Sequence, residues 1–158
     1  MRTLIIAAAA VALAPAAIAA DISVDYSAEF AEKLQDDYGT KEGERLSEDI
    51  REDLDRELRK ANIDPASISV TILDAKPNRP TMKQLGDTPG LDAIRSKSIG
   101  GMDLRAVAYA ADGSMIAEFE YDWYENNIEM VQVAGTWSDA NRASDRFARK
   151  FVEKLSGE

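Results

Sequence analysis

Cysteine and histidine are both absent from this chain. Without imidazole or thiol, Ser-His-Asp and Cys-His catalysis are excluded. A zinc-type site loses both of its favoured ligands. No disulfide can form, so the folded state rests on its packed core. No cysteine follows the apolar leader, which excludes a diacylated lipoprotein. Cations are in deficit, 19 Lys and Arg against 29 Asp and Glu, for a net charge of −10. Such a surface repels nucleic-acid phosphates and anionic lipid headgroups at long range. Ser-x-x-Lys, Gly-x-Ser-x-Gly, P-loop, Gly-x-Gly-x-x-Gly and EF-hand signatures are all missing. What survives is carboxylate chemistry, Ser-Lys chemistry or an oxygen-ligated ion such as calcium; no cofactor and no metal are expected.

Only one apolar run is long. Arg2 precedes an unbroken apolar stretch from Leu4 to Ala14, Pro15 closes it, and Ala17-Ile18-Ala19 offers small residues at the two positions a signal peptidase reads. Residues 1–20 are expected to be a cleaved secretory signal, which places the protein in a periplasm. The rival reading is an uncleaved anchor, but an alanine-rich segment interrupted by Pro15 is short of the about 20 strongly apolar residues a bilayer span requires. Cleavage leaves residues 21–158 as a single domain. It removes one arginine and no acid, giving 18 cations against 29 acids and a net charge of −11. No stable membrane insertion and no nucleic-acid partner are expected after cleavage.

The periodicities predict an α+β domain. Asp21 to Tyr26 alternates as a short strand. Ser27 caps a helix carrying Phe30, Leu34 and Tyr38 on one face, and Gly39 ends it. From Lys41 to Ala61, Leu46, Ile50, Leu54 and Leu58 form a narrow apolar stripe on an otherwise charged helix, with Glu52-Arg56 and Asp55-Arg59 as i,i+4 pairs. Asn62 and Pro65 stop it. Ile68 to Ala75 is a strand closed by Pro77, and Thr81 to Leu85 can form one helical turn.

Met102–Ala111 and Ser114–Tyr124 alternate around Asp112-Gly113. This predicts a hairpin with a two-residue turn. That register pairs Leu104 with Tyr121, Ala106 with Phe119, Ala108 with Ala117 and Ala110 with Met115 on the core face. It pairs Arg105 with Glu120, Val107 with Glu118 and Tyr109 with Ile116 on the other. Ile128 to Gly135 reads as a weaker strand. Ser138 is expected to cap a last helix buried along Ala140, Ala143, Phe147, Phe151 and Leu155, with Trp137 packed at its entry. The sum is a two-layer sandwich: a mainly antiparallel sheet of four or five strands with long helices on one face, the first two strands pairing in parallel.

Two constellations could carry function. Residues 76–97 hold Lys76, Arg79, Lys83, Arg95 and Lys97 against Asp87 and Asp92, a net of +3 on an acidic body. A basic, Gly- and Pro-rich connection can bind an anion, because backbone amides and Arg forks converge on it. With Asn78, these residues form the predicted site for a small anionic ligand or an envelope protein. The bland alternative is that the cations dock the loop onto the acidic body. The second constellation is Glu118, Glu120 and Asp122 on one strand face beside Trp123 and Tyr124. Carboxylates two apart on a strand approach the spacing glycosidases use, which supports a hydrolase of envelope polysaccharide as the alternative. Asp122, Glu125, Asn126, Asn127 and Glu129 also offer oxygens near a turn. Calcium is conceivable there, although Asx residues serve turns for conformational reasons.

The phrases PNRPT, PGLD, SIGG and TWSDA resemble those of small exported bacterial proteins of uncharacterised function. The strand-helix-strand-hairpin-helix order is similar to that of small envelope-assembly domains, by architecture alone.

Overall fold

The computed structural model describes residues 20–133 and 135–157. The expected signal segment, apart from Ala20, lies outside the described residues. The chain runs β1 (Asp21–Tyr26), α1 (Ala28–Lys33), a π turn (Leu34–Tyr38), α2 (Thr40–Ala61), β2 (Ser67–Lys76), α3 (Met82–Asp87), β3 (Gly101–Tyr109), β4 (Met115–Tyr124), a 3-10 turn (Ile128–Val133) and α4 (Ser138–Ser156). One four-stranded sheet has the order β1-β2-β3-β4. β1 pairs with β2 in parallel, and β2-β3 and β3-β4 are antiparallel. This is the α+β fold read from the periodicities, with four strands.

Local chemistry accounts for the element ends. The Ser27 hydroxyl accepts from the Phe30 amide and donates to the Leu73 carbonyl, so it caps α1 and ties it to β2. The Gly39 amide donates back to Leu34, closing the wide π turn at 2.7 Å. Asn62 ends α2 in the left-handed conformation at φ 54°.

The core lies between one face of the sheet and the pair α2 and α4. Val24, Ile68, Val70, Ile72, Leu104, Ala106 and Ala108 meet Leu46, Ile50, Leu54, Phe147 and Phe151 there. Small β3 side chains leave room for aromatic ones from β4 and α4. Phe119, Phe147 and Phe151 stack mutually, with ring centroids 5.9 to 6.2 Å apart. The predicted stripe of α4 is buried, except that Leu155 at its end is only partly covered. The seam between α2 and α4 is polar at its edge: Arg56 bridges Asp53, Glu57 and Asp145. The expected Glu52-Arg56 pair is replaced by this network, whereas Asp55-Arg59 forms at 2.7 Å.

Three expectations are corrected. The hairpin register holds from Leu104–Tyr121 to Ala108–Ala117, but Tyr109 pairs with Met115 instead of Ile116. Ala110 then bonds Ser114, and the Gly113 amide returns to Ala110, so the connection has three residues and not two. Gly113, at φ 81°, takes the left-handed position such a loop requires, and Ile116 is the extra residue that restores the register. Residues 128–133 form a 3-10 turn and no strand, so the sheet stops at four. Finally, Ser138 does not cap α4: Trp137 occupies the cap position, and the Ser138 hydroxyl accepts from the Gly135 amide instead.

Phe147 is fully buried in the aromatic stack. Phe147→Ala should therefore lower unfolding stability by about 3–5 kcal/mol, as for other large-to-small aromatic core changes. Urea denaturation followed by far-UV circular dichroism checks this, with an unchanged midpoint counting against the packing described.

Candidate functional site

The connection between β2 and β3 carries the basic residues, and one buried side chain organises it. Asn78 is fully buried. Its backbone amide donates to the Thr136 carbonyl at 2.7 Å, and its carbonyl accepts from Ser98 at 3.0 Å. Its side-chain oxygen accepts from the Asp139 amide at 2.8 Å. Its side-chain NH₂ donates to the Ser98 carbonyl and to the Asp139 carboxylate. Asp139, buried in the first turn of α4, also accepts from the Gly100 amide at 3.3 Å and lies 3.4 Å from Arg142. Asn78 thus caps α4 from a distant point in the chain and fastens both ends of the connection to it. Gly100 is required at this junction, because an added Cβ would stand 2.8 Å from Asn78 Oδ1 and from the Lys76 carbonyl.

Above this base the connection folds as two limbs. On the first, Thr81 and Gln84 form a reciprocal capping box that starts α3. On the second, the Asp92 carboxylate accepts from the Ile94 and Arg95 amides at 2.8 and 2.7 Å, and these bonds hold its carboxyl below the usual range. The Arg79 guanidinium donates to the Ile94 carbonyl and joins the limbs.

Between the limbs and the π turn lies a cleft of 220 Å³. Lys76, Arg79 and Lys97 line it, with Gln84, Ser96 and Ser98 as further polar groups. Among the described residues, no carboxylate lines it. Tyr38, placed by the π turn, forms part of the wall; its ring packs edge-on against Trp137 at 5.6 Å, and burial raises its phenol. The Trp137 indole donates to Glu42 at 2.6 Å, which fixes that wall to α2. Arg79 also borders a neighbouring cleft of 460 Å³ with Glu42, Arg45 and the exposed Met82 and Ile94.

The structure therefore brings together three of the six residues read as the anion or partner site. Asn78 lies beneath the cleft as a structural anchor. Lys83 pairs with Asp87 on α3, and Arg95 stands exposed outside the lining. Tyr38 and Ser98 were not anticipated. The sequence marks Tyr38 only as a helix-face residue, and its approach to the cleft depends on the π turn, for which the sequence carries no pattern.

The three carboxylates of β4 stand differently. Glu118, Glu120 and Asp122 project from the sheet face opposite the helices, and none lines a cleft among those described. Arg105 pairs with Glu118 and lies 3.7 Å from Glu120. In the turn that follows, Glu125 accepts from the Asn126 and Asn127 amides and Asn127 from Glu129, so these oxygens shape the backbone. Among the described residues no group of three or more Asp and Glu side chains is placed to hold a metal ion. The cross-strand register puts Asp103 between Asp74 and Asp122. Partial burial, and then Asp122, Glu120 and Asp74, raise its carboxyl above the ordinary value.

Comparison with family models, with curated proteins and with solved structures finds no match to this chain. No helix among the described residues is long and apolar enough to cross a membrane.

Asn78→Ala removes the remote cap and two donors to buried acceptors. It should cost about 1–3 kcal/mol, the penalty of leaving buried polar groups unpaired, measured by urea denaturation. A raised carboxyl such as Asp103 favours the folded state in its protonated form. Its contribution is full at low pH and is lost as pH rises through the folded-state pKa. Asp103→Asn should therefore stabilise the protein at pH 7 by about 0.2–1 kcal/mol, the range for cross-strand pairs. The gain should vanish below about pH 4, where an unperturbed Asp is protonated. Thermal melts of both proteins from pH 3 to pH 8 test the sign.

Proposed function

We propose that this chain is an exported, non-enzymatic periplasmic module that binds a small anion, or the anionic group of another envelope component, through residues 76–101. One observation carries this reading: Lys76, Arg79 and Lys97, dispersed in sequence, converge on a single cleft. Three cations around a space of this size suit a carboxylate or a phosphate group, since Arg forks and ammonium donors make short charge-assisted bonds to both. The limbs are held by Asn78, the Thr81 capping box and the Asp92 turn, so the donors are pre-positioned and little ordering cost falls on binding. Met82 and Ile94 are 78% and 76% exposed beside the adjoining cleft, which gives a macromolecular partner an apolar contact next to the anion. The leader pattern of residues 1–20 supports export.

The alternative, a carboxylate hydrolase acting on envelope polysaccharide through Glu118, Glu120 and Asp122, draws no comparable support. These residues stand on an open sheet face, and Arg105 holds Glu118. A glycosidase needs its two carboxyl groups on either side of an enclosed sugar.

The test is titration of the protein with inorganic phosphate and with citrate, read by backbone amide shifts, together with crosslinking in intact cells. Binding should move the amides of residues 96–98. The Arg79→Glu, Lys97→Glu double variant should bind at least about tenfold more weakly, a loss of roughly 1.4 kcal/mol. It should also fail to capture the species that the natural protein captures. Equal binding and equal capture by the variant would refute the proposal.

A further inference from the structure

A second cationic array runs along α4 beside β4. Arg142, Arg146, Lys150 and Lys154 recur every four residues along α4. On β4, Trp123, Tyr121 and Phe119 recur every two. The guanidinium groups of Arg142 and Arg146 lie 5.7 and 4.3 Å from the Trp123 ring centre. The Lys150 ammonium is 5.7 Å from the Tyr121 ring and that of Lys154 is 5.7 Å from the Phe119 ring. The two rows are commensurate: four helical residues advance about 6 Å, and two strand residues advance about 6.7 Å. Each step along β4 therefore meets the next cation of α4. Among the described residues, Arg146, Lys150 and Lys154 make no ion pair, whereas Arg142 reaches Glu125 and Asp139 and Arg149 reaches Asp145. Arg146, Arg149, Lys150, Glu153 and Tyr121 line a groove of 370 Å³ beside the strand.

β4 is also an edge. It is last in the sheet order, and among the described residues only β3 hydrogen-bonds to its backbone. It has ten residues with neither proline nor lysine, and its one bulge, at Ile116, lies at the hairpin end, before Glu118–Tyr124. Its two faces differ in sign. Glu118, Glu120 and Asp122 project on one side, and the cations of α4 flank the other. A second copy is a poor occupant. Antiparallel self-pairing about Glu120 would set Glu118 against Asp122 and Glu120 against itself, and would bring two cation rows together.

We propose that the β4 edge accepts an extended peptide segment of another protein by strand addition. The segment carries acidic residues at alternate positions, toward Arg146, Lys150 and Lys154, and basic or polar residues between them, toward Glu118, Glu120 and Asp122. The edge amides and carbonyls supply affinity, and the two rows of opposite charge set the register and the choice of partner. This surface is distinct from the cleft at residues 76–101 and does not depend on the reading given to that cleft.

The probe is the blocked nonapeptide EKETEKETE, titrated into the protein by isothermal calorimetry and by amide shifts. It should bind with a Kd below about 1 mM and move the amides of residues 117–123. N-methylation at one set of its alternate residues should abolish binding, and methylation at the other set should not, because only one set faces the edge. An Arg146→Glu, Lys150→Glu double variant of unchanged circular dichroism should bind about tenfold more weakly. A peptide of the same composition with its acids and bases in blocks should bind as weakly. Absence of binding, indifference to N-methylation, or equal binding of poly-aspartate would overturn strand addition. So would sedimentation showing that the edge is closed by a second copy.

Discussion

The contact between Asn78 and Asp139 is the constraint on which the arrangement of the basic connection depends. A long segment without regular periodicity would ordinarily carry many backbone groups to the surface and hold no fixed shape. Here one buried residue fastens the segment: its backbone bonds Thr136 and Ser98, and its side chain bonds the Ser98 carbonyl and Asp139 in the first turn of α4. Asn suits this position because it both donates and accepts. Its oxygen takes an orphan amide of the helix, and its NH₂ serves a carboxylate and a carbonyl. Aspartate would set two buried acids together, and a hydrophobic residue would make none of these side-chain bonds.

Because the base is fixed, the limbs above it need few further bonds to converge. The Thr81 capping box and the Asp92 turn are each local, made within a few residues, and Arg79 joins them. The cleft is then closed by an element from elsewhere in the chain. The π turn carries Tyr38 against Trp137, and Glu42 on α2 accepts from the Trp137 indole. Sheet, helices and connection are coupled through Trp137, which is why that residue lies almost wholly buried at the mouth of α4.

The parts legible in the sequence are those whose pattern is short-range. Strand alternation, the Ser27 cap, the Asn62 stop and the charge pairing of Arg105 across the hairpin follow from neighbours on one element or on adjacent strands. The structure departs from these patterns at three places, one of them because a distant group intervenes. Ser138 has the identity of a helix cap, but Asn78 supplies the bond to the helix amide, leaving the serine hydroxyl to Gly135. Ile128–Val133 is apolar enough for a strand, yet it forms a 3-10 turn and β4 remains the edge. The hairpin turn differs because Asp112 accepts from the amide and hydroxyl of Ser114, which favours a three-residue loop with Gly113 left-handed. In the candidate site, cation identity was readable. Which three cations meet was not, since that depends on the anchor at Asn78 and on the π turn.

Charge distribution links the two surfaces. In a chain of net charge −10, Lys33, Arg56, Arg59 and Arg105 pair with acids of the body. Seven of the 19 cations lie in the cleft of Lys76, Arg79 and Lys97 and in the row from Arg142 to Lys154. The aromatic rings of β4 help to make the second cluster tolerable: cations at four-residue spacing repel one another along a helix, and attraction to a ring face offsets part of that cost without discharging them. A carboxylate partner would neutralise the row more fully but would leave it unable to attract an outside acid. The rings hold Arg146, Lys150 and Lys154 in place without pairing them to an acid. The same reasoning explains why the opposite face of β4 is acidic. A strand positive on both sides would attract any polyanion, whereas one with opposite signs on its two sides discriminates by the alternation of its partner.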